Sequence, residues 1–222
     1  FKPNIIIHLA WNDIPNFTFK KSLENLNQSI NFLNSILNLD SCKKIIVTGT
    51  SFENNIDKNN FHFVWAKNSL REWLSYKCKE KKIDLGWLRI FYVFGPGQRS
   101  KALIPYLYNS FKNNKKPVIK NLFVLNDFIY IDDVINIISK LLKKKLNSKI
   151  FEVGSGKLTS VGQICHYVEK IILKKNLYFT KKKIKLNKYK VSKNKPANLK
   201  NYKVKINSLS FYNALKKTIR NN

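Results

Sequence analysis

Lys44-Ile45-Ile46-Val47-Thr48-Gly49-Thr50-Ser51, and shortly after it Phe61-His62-Phe63-Val64-Trp65-Ala66-Lys67, decide how this chain is read. Residues 44–47 are a short apolar run that opens directly into small and polar residues. A parallel strand buried on both faces has this pattern, with its functional groups presented at its carboxyl end. Downstream, Leu70, Trp73 and Leu74 extend the second segment at helical spacing, which predicts a helix from about Val64 to Lys79.

Outward from there the rhythm repeats. Ile5-Ile6-Ile7-His8-Leu9-Ala10 predicts a buried strand. Leu23, Leu26, Ile30, Leu33, Ile36 and Leu37 predict a helix over about 22–39, and residues 84–93 predict a third strand closed by Phe94-Gly95-Pro96-Gly97. Strand, helix, strand, helix, strand is the order of a doubly wound parallel sheet. Beyond Gly97 the expected elements are a helix over 101–111, a short strand around Phe123, a strand over 127–131 and a helix over 134–142 capped by Asp132-Asp133. A strand over 150–153 and helices over 161–173 and 211–219 complete the set. Residues 174–206 are lysine-dense without periodicity, consistent with a lobe or with short strands.

A chain of 222 residues that is 44% hydrophobic and 13% aromatic has ample material for a core. No apolar run approaches the ~20 residues of a membrane span, and the start lacks the layout of a signal peptide. Cys42, Cys78 and Cys165 fit neither a disulfide framework nor a zinc site, so reduced thiols in a cytoplasmic protein are expected, without metal. The formal net charge is +29. Only Arg71, Arg89, Arg99 and Arg220 among the basic residues carry the guanidinium preferred for base and phosphate recognition, and the lysines travel with 29 Asn. Drift in an AT-rich genome and a polyanion-binding surface both account for this charge, and the scarcity of arginine weighs against nucleic acid. Methionine is absent and the chain opens with a strand under way, as a fragment of a longer polypeptide would.

Ile7-His8-Leu9-Ala10-Trp11, Asn25, Thr48-Gly49-Thr50, Lys67, Arg89-Ile90-Phe91-Tyr92-Val93-Phe94-Gly95-Pro96-Gly97-Gln98, Asp127-Phe128-Ile129-Tyr130-Ile131-Asp132-Asp133-Val134 and Val153-Gly154-Ser155-Gly156 occur in this order. Together they resemble the extended short-chain dehydrogenase/reductase family, the NAD-dependent epimerase/dehydratases of nucleotide sugars. The resemblance covers most of residues 5–172. It implies an α/β fold: a Rossmann-type doubly wound parallel sheet lacking its first strands, with a smaller C-terminal α/β substrate-binding lobe. Residues 1–99 would be the partial NAD(P)-binding domain and 100–222 the substrate-binding region, with about 127–156 packing back on the Rossmann domain. No G-x-G-x-x-G turn occurs in the sequence, and the resemblance places that phosphate cradle before Phe1.

The resemblance also implies roles. Thr50 would position the substrate oxygen and Lys67 would bind the nicotinamide ribose, and the family's catalytic tyrosine would stand four residues before the lysine. That position is Phe63, which has no proton to exchange. Leu9, Ala10, Trp11, Asn25, Val47, Thr48, Lys67, Phe91 and Val93 would contact NAD or NADP. Thr50, Tyr92, Gln98, Leu103, Asn126 and Lys195 would contact a nucleotide diphosphate sugar. Asn126 stands where an arginine often grips the phosphates, and Lys195-Pro196 stands in for a later Arg-Pro. The implied activity is an epimerase, dehydratase or reductase serving surface-polysaccharide synthesis, as a homodimer through helices 22–39 and 64–79. The replacements at 63 and 126 motivate the alternative, a binding-only relative. Read without the family, His8 is a hydrogen-bonded structural residue, Asn25 is solvent-facing, Asp132 and Asp133 are caps, and Trp11, Trp65, Trp73 and Trp87 belong to the core.

Overall fold

A computed structural model describes residues 2–175, 177–179, 195–199 and 209–220. Its elements are β1 (Ile5–His8), α1 (Phe19–Leu37), β2 (Lys44–Thr50), α2 (Phe61–Glu80), β3 (Asp84–Ile90), β4 (Tyr92–Phe94) and α3 (Leu103–Lys112). They continue with β5 (Leu125–Tyr130), α4 (Ile131–Leu142), β6 (Lys149–Val153), β7 (Leu158–Ser160), α5 (Val161–Leu173) and α6 (Phe211–Arg220). The chain forms two compact units, residues 1–90 with 138–153, and residues 91–137 with 154–222. The returning segment is therefore 138–153, and residues 127–137 and 154–156 lie in the second unit.

The first unit is built on a four-stranded parallel sheet in the order β1-β2-β3-β6. Ile45, Ile46 and Val47 of β2 are fully buried, as a central strand covered on both faces requires. Leu26, Leu33 and Leu37 of α1 and Leu70 and Leu74 of α2 recur on one helical face each and pack into the same core as Ile45, Val47 and Trp87. Thr18 caps α1 by accepting the Lys21 N–H, which starts the helix at Phe19, ahead of the periodic residues. Cys42, Cys78 and Cys165 are buried and unbridged, and burial pushes the Cys78 and Cys165 thiols up to about 12.

The second unit has a three-stranded sheet, β4-β5-β7, with β5 parallel to β4 and antiparallel to β7. Phe94, Phe128 and Tyr130 pack with Leu107 of α3, Ile164 and Val168 of α5 and Leu215 of α6.

Several expectations are corrected. The strand predicted over 84–93 is two: Ile90 pairs with Val153, whereas Tyr92 pairs with Phe128 in the other sheet. The expected strand around Phe123 is a turn, since the Asn121 side chain accepts the Phe123 N–H at 2.9 Å and bends the chain before β5 begins. Asp132 and Asp133 lie inside the first turn of α4 and do not precede it. Trp65 is 37% exposed, because Phe63 and Lys67 take the inward face of α2, and Asn25 is buried. Of residues 174–206, only 174–175, 177–179 and 195–199 are among the described residues. Among the described residues no helix is long and apolar enough to cross a membrane.

Candidate active site

In the first unit the carboxyl ends of β1 and β2 and the amino-terminal half of α2 bring together Trp11, Thr48, Thr50, Phe63 and Lys67. Because α2 starts at Phe61, residues 63 and 67 lie one turn apart on a single face. Lys67 is only 3% exposed. Its Nζ donates to the Thr48 carbonyl at 2.7 Å and lies 3.8 Å from the centroid of the Trp11 ring. Burial, opposed in part by the Glu53 carboxylate, lowers its ammonium to about 7.

Phe63 is equally enclosed. Its ring stacks on Phe17 with centroids 4.6 Å apart and meets Trp11 and Phe52 edge-on at 5.6 and 6.4 Å. Residue 63 therefore offers no hydroxyl one turn before Lys67. Thr50 is buried, and its hydroxyl oxygen accepts the Phe52 N–H at 3.3 Å while the Glu53 carboxylate accepts the Thr50 N–H at 2.9 Å. This reciprocal cap opens a 3₁₀ turn over Ser51–Asn54.

The Glu53 side chain is fully buried and was not singled out by sequence reasoning. It pairs with Arg71 and with Arg89 (2.9 Å) and accepts the Trp87 indole N–H at 3.0 Å. The Thr50-x-x-Glu53 spacing of a capping box was the legible signal. Gly49 makes room for this cluster, since a Cβ there would sit 2.2 Å from the Trp87 indole nitrogen.

Asn25 is an inward-facing tie. It accepts the Asn12 N–H at 2.6 Å and donates to the Asn12 and Lys21 carbonyls, fixing the loop that carries Trp11. His8 contacts Ser29 at 3.2 Å and stacks on Phe32; burial first, and then the Lys67 charge, lower its pKa. His8, Trp11, Asn12, Asn25, Gln28 and Phe32 are among the residues around a cavity of about 490 Å³. This is within the range of small-molecule sites and suits the nicotinamide–ribose portion of NAD(P) in size. Lys67 is not among the residues around it, its Nζ being engaged by the Thr48 carbonyl and the Trp11 ring. Leu9 and Ala10 are exposed, Val47 is fully buried, and Phe91 and Val93 lie in the second unit.

Tyr92, Gln98, Leu103, Asn126 and Lys195 are all in the second unit. Gln98 donates to the Val93 carbonyl at 3.1 Å, and its buried Oε1 has no partner among the described residues. Asn126 is buried, Tyr92 and Leu103 are half-buried, and Lys195 is exposed. Beside them Asp127, 1% exposed, accepts four hydrogen bonds, from the Ser155 N–H and hydroxyl and from the Gly156 and Ala197 N–H groups. Gly154 admits that carboxylate, since a Cβ there would lie 2.7 Å from Asp127 Oδ2. Among the described residues no cluster of His, Cys, Asp and Glu could hold a metal ion.

The model of the NAD dependent epimerase/dehydratase family matches residues 1–154. CDP-abequose synthase from Salmonella muenchen is 33% identical over 85 residues, which is 37% of this chain and 29% of that protein. The match thus spans less than a third of that relative. UDP-N-acetylglucosamine 4-epimerase from Methanobrevibacter ruminantium M1, solved with UDP-N-acetylmuramic acid, superposes at TM-score 0.79 with 19% identity over 98% of this chain and 76% of that one. A tyrosine-to-phenylalanine mutant of UDP-glucuronic acid 4-epimerase from Bacillus cereus, solved with UDP-4-deoxy-4-fluoro-glucuronic acid and NAD, superposes at 0.72 with 20% identity over 98% and 74%. At these identities the superpositions establish a shared fold.

Proposed function

The chain belongs to the NAD dependent epimerase/dehydratase family, and from that premise we propose that it binds a nucleotide diphosphate sugar and NAD or NADP without the family's proton transfer. The observation that carries this reading is the Phe63 ring, enclosed by Phe17, Trp11 and Phe52 one turn before Lys67. A phenyl group neither donates nor accepts a proton, and loss of a positioned acid/base costs ~10²–10⁴ in rate. The Bacillus cereus mutant supports the separation of binding from chemistry, since a tyrosine-to-phenylalanine change in that protein is compatible with both ligands.

Bound, the dinucleotide would supply hydride transfer at a sugar carbon. The chain's own part in this reading is to bind and orient. Lys67 would hold the ribose, Asn25 would fix the wall beside it, and Thr50 would face the sugar. Tyr92, Gln98, Leu103, Asn126 and Lys195 would contact the nucleotide sugar, with Gln98 Oε1 accepting from a hydroxyl. Calorimetry on the native protein with UDP-, CDP-, GDP-, ADP- and dTDP-sugars, with NAD(P) present, is expected to show saturable binding to at least one and no product by chromatography. No heat with any of them would remove the binding role, and product at rates of ordinary enzymes would remove the silence.

The reading includes a homodimer through α1 and α2. It is supported by the exposed rings of Phe19, Phe61 and Trp65 on these helices, where Phe19 meets Trp65 and His62, and Phe61 meets His62, at 5.4–5.8 Å. A dimer at micromolar concentration is expected in sedimentation velocity, converted to monomer by Trp65→Lys. A native monomer would refute this arrangement.

A further inference from the structure

Two cavities adjoin in the second unit, both bordered by α6. The first, of about 350 Å³, is walled by the rings of Phe94, Phe128, Tyr130 and Phe211, with Asp133 and Lys157 as its charged side chains. The second, of about 480 Å³, is bounded by Leu209, Asn213, Lys216, Lys217 and Arg220. Both lie in the size range of small-molecule sites. Leu209 lines both, and the Lys217 ammonium of the second lies over the Tyr130 ring of the first, 5.6 Å from its centroid. None of Tyr92, Gln98, Leu103, Asn126 and Lys195 borders either cavity.

The two halves differ in chemistry. Tyr130 is 4% exposed, and its buried hydroxyl has no hydrogen-bond partner among the described residues. A buried hydroxyl in that state is costly unless a guest supplies the bond. Asp133, also buried, adds a carboxylate to the same wall, and the half-buried Phe211 presents part of its ring. In the second cavity Asp132 pairs with Lys217 at 3.0 Å. Lys216 and Arg220 are exposed and form no ion pair among the described residues. Arg220 is one of the four arginines of the chain, and Arg71 and Arg89 are committed to Glu53. A guanidinium is the side chain best matched to phosphate, which sets this position apart from the lysine-rich background.

We propose that the two cavities form one site for a nucleoside phosphate, with its base and ribose in the ring-walled cavity and its phosphates on Lys216 and Arg220. The site is separate from the nucleotide-sugar reading and does not depend on it. An apolar guest would set hydrocarbon against the Tyr130 hydroxyl and the Asp133 carboxylate. Inorganic phosphate would leave the rings unused. A nucleoside phosphate answers both halves, since its base offers a planar face for stacking and polar edges for Tyr130 and Asp133. Its phosphates accept from the guanidinium and the ammonium.

The test is calorimetry of the full chain with ADP, UDP and inorganic pyrophosphate. Native protein is expected to bind at least one of the nucleoside diphosphates at least ~10-fold more tightly than pyrophosphate. K216E/R220E should weaken that binding by ~10–100-fold. Tyr130→Phe, which removes the hydroxyl alone, should weaken it by about 2–10-fold and leave pyrophosphate unchanged. K115E/K116E makes the same charge change on exposed lysines elsewhere in the second unit. It should alter the affinity by less than about threefold, as should Lys195→Glu. Unchanged melting temperatures establish that each variant is folded. Equal loss in K115E/K116E would reduce the effect to bulk charge, and equal loss in Lys195→Glu would assign the binding to the nucleotide-sugar residues. Either result overturns the proposal. So does pyrophosphate that binds as tightly as the nucleotides, a Tyr130→Phe variant with native affinity, or native protein that binds neither nucleotide.

Discussion

Phe63→Tyr is expected to raise turnover of a nucleotide sugar by ~10²–10⁴-fold over the native protein, the range that a positioned acid/base contributes. The helix already sets the geometry, since residue 63 precedes Lys67 by one turn on the buried face of α2. The lysine lies in a water-poor setting, where its proximity to a phenol lowers the phenol's pKa from ~10 toward neutrality. Single-turnover mixing with NAD(P)H and a panel of keto-sugar nucleotides reads the rate, and thermal melting establishes folding. A folded Phe63→Tyr protein that binds sugar nucleotide yet stays at the native background would show that the missing hydroxyl is not what silences the site.

Glu53→Ala is expected to remove about 3–5 kcal/mol of stability, the cost of breaking a buried ion pair and leaving a partner uncompensated. Arg71 loses its counter-charge, Arg89 keeps only the more distant Glu152 at 3.8 Å, and the Trp87 indole and the Thr50 N–H lose their acceptor. For a chain of this size that corresponds to a fall in Tm of about 6–20 °C, read by calorimetry or circular dichroism. Glu53→Gln keeps an acceptor for Trp87 without charge and should fall in between. A loss under about 1 kcal/mol in the alanine variant would mean that water reaches Arg71 and Arg89 and satisfies them.

The alternation of strands and helices was legible because each buried parallel strand is an apolar run and each covering helix repeats its apolar residues every three or four positions. The register of residues 63 and 67 was legible for the same reason. The break at Phe91 was not. Ile90-Phe91-Tyr92 is continuously apolar, and the change of partner from Val153 to Phe128 is dictated by strands far along the chain. β7, three residues long, is too short to show a period. At the site, the residue types facing one another followed from motif order, but their state did not. The Trp11 ring over Lys67 is placed by a coil held through Asn25, and the partners of Glu53 come from α2 and β3. Asp127 gathers donors from residues 155, 156 and 197, which no local pattern announces.

The pairing of β3 with β6 also sets a timetable for the growing chain. β3 ends at Ile90 and its neighbour ends at Val153, with residues 91–137 assigned to another compact unit. At roughly 5–20 residues per second, translation needs on the order of ten seconds to deliver the closing strand after β3 has emerged. Through that interval β3 presents a free row of peptide groups flanked by Leu85, Trp87 and Leu88, side chains buried in the finished fold. Until β6 is made, that open edge is an aggregation-prone feature of the growing chain, and Lys79, Lys81 and Lys82, which precede β3, are the exposed charges already present beside it.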